Sequence, residues 1–148
     1  MIFNKKSHIL VAEDDEDDFL FFKDALVKTT RATISNVRNG VQLLEYLDTN
    51  PKPDLIFLDL NIPRKSGKQC LKTLWETHYI DSVPIVIYST SRNEEDIEEC
   101  YNFGARFYMI KPTSYGSLLN LLNRLFGQLS HDPREFIRRE EFLIREAK

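Results

Sequence analysis

Five short runs of aliphatic and β-branched residues alternate along this chain with longer stretches whose apolar side chains return every three or four positions. The runs fall at residues 9–12, 33–37, 54–59, 84–88 and 107–110. Each has a strand's length and too few residues for an ordinary helix. The stretches between them predict helices over about 17–29, 41–47, 68–78, 94–104 and 114–126. Ser91 and Glu94 read as a capping box for the fourth helix, and Gly104 suits its end. Pro84 is tolerated because it opens its strand. Strands that read as continuous apolar runs, alternating with helices, predict a parallel sheet covered on both faces. The expected architecture is doubly wound α/β.

In such a sheet a ligand binds beyond the carboxyl ends of the strands, where the strand order reverses. The residues that follow each run therefore matter most. Glu13, Asp14 and Asp15 follow the first; the third ends in Asp59, with Asn61 close behind. Ser89, Thr90 and Ser91 close the fourth, and Lys111 and Pro112 follow the fifth. Carboxylates gathered at one edge repel one another unless a cation neutralises them. Mg²⁺ suits such a set, because it takes one or two carboxylates, water and phosphate oxygens. A lysine and a hydroxyl opposite would hold an incoming anion. Together they describe a pocket for a dianion against Mg²⁺, with a carboxylate as nucleophile.

Four segments carry a family resemblance: Ile9-Leu-Val-Ala-Glu13-Asp14-Asp15, Leu55-Ile-Phe-Leu-Asp59-Leu-Asn61-Ile-Pro63 with Gly67 beyond, Pro84-Ile-Val-Ile-Tyr-Ser89-Thr90, and Gly104-Ala with Tyr108-Met-Ile-Lys111-Pro112. In this order they resemble the receiver domain of response regulators, the CheY-like superfamily, over about residues 7–127. The resemblance implies a five-stranded flavodoxin-like sheet of order 2-1-3-4-5. It makes Asp59 the phosphoacceptor and catalytic nucleophile, and Asp14 a direct Mg²⁺ ligand with Asp59. Glu13 acts on the metal through water, and the Asn61 carbonyl is the third protein ligand. Ser89 becomes the switch hydroxyl with Thr90 beside it, Lys111 the catalytic lysine on the phosphoryl group, and Tyr108 the aromatic that turns inward. A cis Lys111–Pro112 bond is also implied.

Other readings compete locally. Asp17 and Asp18 are explained as acid at a helix N-terminus. A calcium EF-hand loop fails for want of its central Gly and closing Glu. A phosphatase of the haloacid-dehalogenase type would need a second acid where Asn61 stands, and a pseudo-receiver would have lost an acid or the lysine. His8, His78 and His131 match no receiver motif, and Cys70 and Cys100 read as isolated buried thiols of a reducing compartment. A net charge of −3 and a pI near 5.6 oppose nucleic-acid binding. No apolar run is long enough to span a membrane.

Residues 1–128 are thus expected to form the receiver and 129–148 a helical extension starting at Asp132–Pro133. Glu135–Arg139 and Glu141–Arg145 would be i,i+4 pairs, with Phe136, Ile137, Leu143 and Ile144 as an apolar stripe for a dimer, a partner or the receiver itself. The expectation is a cytoplasmic, single-domain response regulator, not an enzyme on other substrates, which signals through protein contacts. A sensor histidine kinase or phosphorelay donor supplies the phosphoryl group. The tail and the acidic run also resemble regulators paired with bacteriophytochromes. Phosphorylation is expected to favour a homodimer or a downstream protein target.

Overall fold

All five expected strands form, as β1 (His8–Ala12), β2 (Thr33–Val37), β3 (Leu55–Leu58), β4 (Ile85–Ser89) and β5 (Phe107–Ile110), in a computed structural model that describes residues 3–129, 132 and 135–146. They run parallel in the order β2-β1-β3-β4-β5, as expected. The connecting helices are α1 (Glu16–Thr29), α2 (Gly40–Thr49), α3 (Gly67–Glu76), α4 (Glu94–Asn102) and α5 (Tyr115–Gln128). Alternate strand residues feed two cores. Ile9, Val11, Phe57, Val86, Tyr88 and Met109 pack with α1 and α5. Leu10, Ala12, Leu58, Ile87, Tyr108 and Ile110 pack with α2, α3 and α4.

Most helix starts follow from their caps. Asp15, Asn39 and Ser114 each accept a backbone N–H from the first turn, and Ser66 forms a capping box with Gln69. The fourth helix departs from expectation. Its cap is Asn93, which accepts from the Glu95 N–H, while the Ser91 Oγ accepts the Asn93 N–H at 3.3 Å and donates to Asp96 Oδ2 at 2.6 Å. At its other end Gly104 adopts φ 83°, and Ala105 and Gly104 donate back to Cys100 and Tyr101. That is a Schellman closure, which only glycine reaches without strain.

The C-terminal extension is not the long helix expected. One turn, α6 (Arg139–Phe142), leads into a sixth strand, β6 (Leu143–Ile144), paired in parallel with β5. Part of the expected helix start, with Pro133, and also His131, lie outside the described residues. The stripe fails because its members do not share a face. Phe136 is 78% exposed, while Ile144 enters the α1/α5 core and Leu143 packs against the opposite one. An unpaired β5 edge offers backbone donors and acceptors that a strand satisfies and a helix cannot. Nor do the charges pair within the tail as expected. Arg139 reaches Glu98 at 2.5 Å on α4, and Arg138 pairs with Glu141.

Phe142 is fully buried, 5.1 Å from the Tyr101 ring and 6.3 Å from that of Tyr108. Replacing it by alanine should therefore cost about 3 kcal/mol in urea unfolding, through lost burial and the cavity left behind. Phe136→Ala should leave the midpoint unchanged, and equal effects from the two would remove the tail from the core.

Candidate functional site

The hydrogen-bond ladder of the sheet continues into the residues just past it. The Glu13 N–H donates to the Val37 carbonyl (3.0 Å), Asp59 to Ala12 (3.1 Å) and Lys111 to Ser89 (2.9 Å). The three side chains that leave these positions meet. Lys111 Nζ lies 2.6 Å from Glu13 Oε1 and 2.9 Å from Asp59 Oδ2. Glu13 is 4% exposed and Asp59 6%. Gly67, at the start of α3, lets the loop close against this point: a Cβ there would collide with the Asp59 carbonyl oxygen.

The charges are not balanced. Burial pushes the Glu13 carboxyl up to about 7, and the negative charge of Asp59 adds to the shift while Lys111 offsets part of it. Burial by itself would lower Lys111, but its bonds to Glu13 and Asp59 outweigh this and hold it above the ordinary lysine range. One ammonium thus serves two carboxylates, leaving an excess of negative charge. Asp59 is held at both oxygens, since its Oδ1 accepts the Asn61 N–H at 3.0 Å.

Asp14 lies exposed beside this group. Its N–H donates to Glu13 Oε2 (3.1 Å), and Arg38 donates to its carbonyl (3.0 Å). Asn61 and Thr90 are exposed. Ser89 is fully buried, and its Oγ accepts the Ser91 N–H at 3.2 Å. Tyr108 is also fully buried, already turned inward, with its hydroxyl donating to the Ser91 carbonyl at 2.9 Å. β6 and Phe142 cover it, so it is not on an edge strand. The Lys111–Pro112 peptide is trans, not cis as expected, and no described residue has a cis bond. The two isomers of such a bond differ by only about 0.5–1 kcal/mol, so the dipeptide itself selects neither firmly.

Three contacts escaped the sequence. Asp18 comes within 3.7 Å of Lys111 besides lying in the first turn of its helix. Tyr88 lines the cavity beside Glu13 and Asp59, with the Lys111 ammonium 5.2 Å from its ring centre. Asp96, bonded to Ser91, is paired with Lys68 of α3 at 2.7 Å. Only Tyr88 had a legible signal, as the last large residue before the hydroxyls of β4. Among the described residues, no three His, Cys, Asp or Glu side chains form a ready-made metal cluster. The oxygen donors available are two strand-end carboxylates, a third neighbouring one and a loop carbonyl. That set suits a hard cation that keeps several waters.

Residues 9–123 match the sequence model of the response regulator receiver domain. Response regulator Rcp1 of Synechocystis is 27% identical over 126 residues, covering 80% of this chain and 86% of that protein. The crystal structure of the phosphorylated cyanobacterial phytochrome response regulator RcpA superposes with a TM-score of 0.73 at 29% identity, over 80% of this chain and 90% of that one. The Mn²⁺-bound form of Rcp1 gives 0.74 at 25% identity, over 82% and 93%. Among the described residues no helix is long and apolar enough to cross a membrane.

Removing the ammonium would strand two buried carboxylates. In metal-free buffer at pH 8, Lys111→Met should lose about 3 kcal/mol of stability, the order expected when a buried pair is broken from one side. The sign with pH follows. Carboxyl groups whose folded pKa is raised bind more protons folded than unfolded, so the mutant regains stability as the pH falls towards 5. A deficit in chemical denaturation that stays constant between the two pH values would contradict this account.

Proposed function

The chain belongs to the response regulator receiver domain family, and on that premise we propose that Asp59 is its phosphoacceptor. One observation carries the reading: Lys111 joins Asp59 and Glu13 at the carboxyl edge of the sheet, at 2.9 and 2.6 Å. Asp59 follows β3, in the middle of the sheet, and is held at both oxygens, by Lys111 and the Asn61 N–H. A phosphohistidine on a sensor kinase or phosphorelay donor supplies the phosphoryl group. An oxygen of Asp59 bonds to phosphorus as the bond from phosphorus to the histidine nitrogen breaks. The Lys111 ammonium, already against that carboxylate, then has phosphoryl oxygens to contact.

Mg²⁺ fits the donors present, with Asp14, Asp59 and the Asn61 carbonyl as ligands and Glu13 acting through water. When bound, it would neutralise charge on the phosphoryl oxygens. Ser89 supplies the switch. If its hydroxyl moves to donate to the phosphoryl group, the Ser91 N–H that it accepts must follow or be released, and the Ser91 carbonyl is what Tyr108 holds. The signal therefore passes to the loop between β4 and α4, with exposed Thr90 on it, and on to the α4–β5–α5 face. Tyr108 already points inward, so what changes is its partner loop more than its own position.

The readout is contact with a downstream protein in the cytoplasm, without catalysis on other substrates. The phytochrome response regulator named above supports a bacteriophytochrome as the kinase. A homodimer on the α4–β5–α5 face would meet the tail as its outer layer, since Phe142 and Ile144 are already buried in the chain's own cores. Exposed Phe136 is the tail residue left to add apolar contact.

With Mg²⁺ and acetyl phosphate, the intact mass of the wild type should rise by one phosphoryl group, and Asp59→Asn should not label. Labelling of the mutant at the wild-type rate would refute the assignment. By calorimetry, Asp14→Ala should weaken Mg²⁺ binding on the order of tenfold or more, because the site loses a ligand and a charge together.

A further inference from the structure

Lys111 has a third neighbour that is not an acid. Its ammonium sits 5.2 Å from the centre of the Tyr88 ring, on the side chain that β4 turns away from Ser89. Tyr88 is itself fixed. It is 7% exposed, its ring stacks on Phe22 of α1 at 4.2 Å with 23° between planes, and Phe22 meets Phe57 of β3 edge-on at 4.9 Å. The same ring walls the cavity that Val11, Ala12, Glu13 and Asp59 share. Burial pushes its phenol above the ordinary tyrosine range, so it stays neutral and can act on the lysine only through its ring and its dipole.

The physical difference between this neighbour and the other two is charge. Glu13 and Asp59 attract the ammonium by Coulomb force, and any phosphoryl group must compete with them for it. An aromatic face attracts a cation through its quadrupole without carrying a formal charge, and the attraction strengthens where water is excluded. It can hold the lysine near Asp59 while leaving its N–H donors free to turn to a new anion. A floppy lysine would have to be ordered at the moment of transfer, whereas one resting on a fixed ring is ordered beforehand.

We propose that Tyr88 is a positioning residue for phosphoryl transfer: its ring, locked by Phe22 and Phe57, is the platform that aims Lys111 at the phosphoryl group on Asp59. The proposal rests on the assignment of Asp59 and Lys111 above. It separates Tyr88 from its neighbours in the core, whose role is packing alone.

The test compares full-length wild type, Tyr88→Phe, Tyr88→Leu and Lys111→Met, each first checked by thermal melting. Labelling by acetyl phosphate at saturating Mg²⁺ is followed by intact mass, and Mg²⁺ affinity by calorimetry. Tyr88→Phe keeps the ring and should label within about twofold of wild type, while Tyr88→Leu should be slower by about tenfold, since a displaced catalytic group costs rate steeply. Mg²⁺ affinity should change little in either. In lysine-labelled protein, the ε-methylene resonance of Lys111, identified by its loss in Lys111→Met, should carry a ring-current shift in wild type and Tyr88→Phe that vanishes in Tyr88→Leu. That signal reports the ring over the lysine, and a packing role would not require it. If Tyr88→Leu melts below the assay temperature, Tyr88→Met replaces it with the same expectation. Wild-type labelling by Tyr88→Leu, or an equal slowing by Tyr88→Phe, overturns the platform and leaves Asp59 as acceptor. A wild type that never labels overturns both.

Discussion

A single ammonium shared by two buried carboxylates is the contact on which the site depends. Lys111 lies between Glu13 and Asp59 at 2.6 and 2.9 Å, and all three are largely withdrawn from water. Charges buried this way survive only when paired at close range. The pairing in turn needs β1, β3 and β5 to end at the same level, and the parallel register provides that: Ala12 lies opposite Leu58, and Ser89 opposite Ile110. The apolar strands are thus more than a core. They set the depth at which the three charged side chains emerge, and glycine at position 67 lets the following loop close over them.

The same arrangement leaves the pocket short of positive charge. Two buried acids, with Asp18 and Asp14 nearby, face one lysine, and burial together with the Asp59 charge raises Glu13. A site in that condition suits a hard cation. Its chemistry follows from an incomplete neutralisation, which a fully paired cluster would not offer.

From this pocket a chain of hydrogen bonds runs outwards through Ser91. Its N–H reaches Ser89, its carbonyl holds Tyr108, and its hydroxyl reaches Asp96, which Lys68 anchors to α3. Tyr108 then packs near Phe142 of α6 and pairs with Leu143 of β6, so the last strand of the sheet lies within two contacts of the β4–α4 loop. Arg139, which reaches Glu98, ties the same tail to α4. The extension closes the edge that β5 would otherwise leave exposed.

Local rules determined most of this from the sequence. Five apolar runs set five strands, and the polar residues that end or follow the first, third and fifth named Glu13, Asp59 and Lys111, because strand ends in a parallel sheet have only one edge to share. Tertiary structure decided the rest. The four apolar residues of the tail read as a helical stripe, yet Leu143 and Ile144 pack against opposite cores, because a free sheet edge outweighs a weak local preference for helix. Ser91 has the composition of a cap, but its Oγ accepts the Asn93 N–H and donates to Asp96 while Asn93 caps the helix, a choice that depends on how the loop folds. The isomer of the Lys111–Pro112 bond turned on energies too close for the dipeptide to decide. Tyr88 was legible as core, but its place beside Lys111 depends on how β4 and β5 lie against each other, and a linear pattern does not record distances between strands.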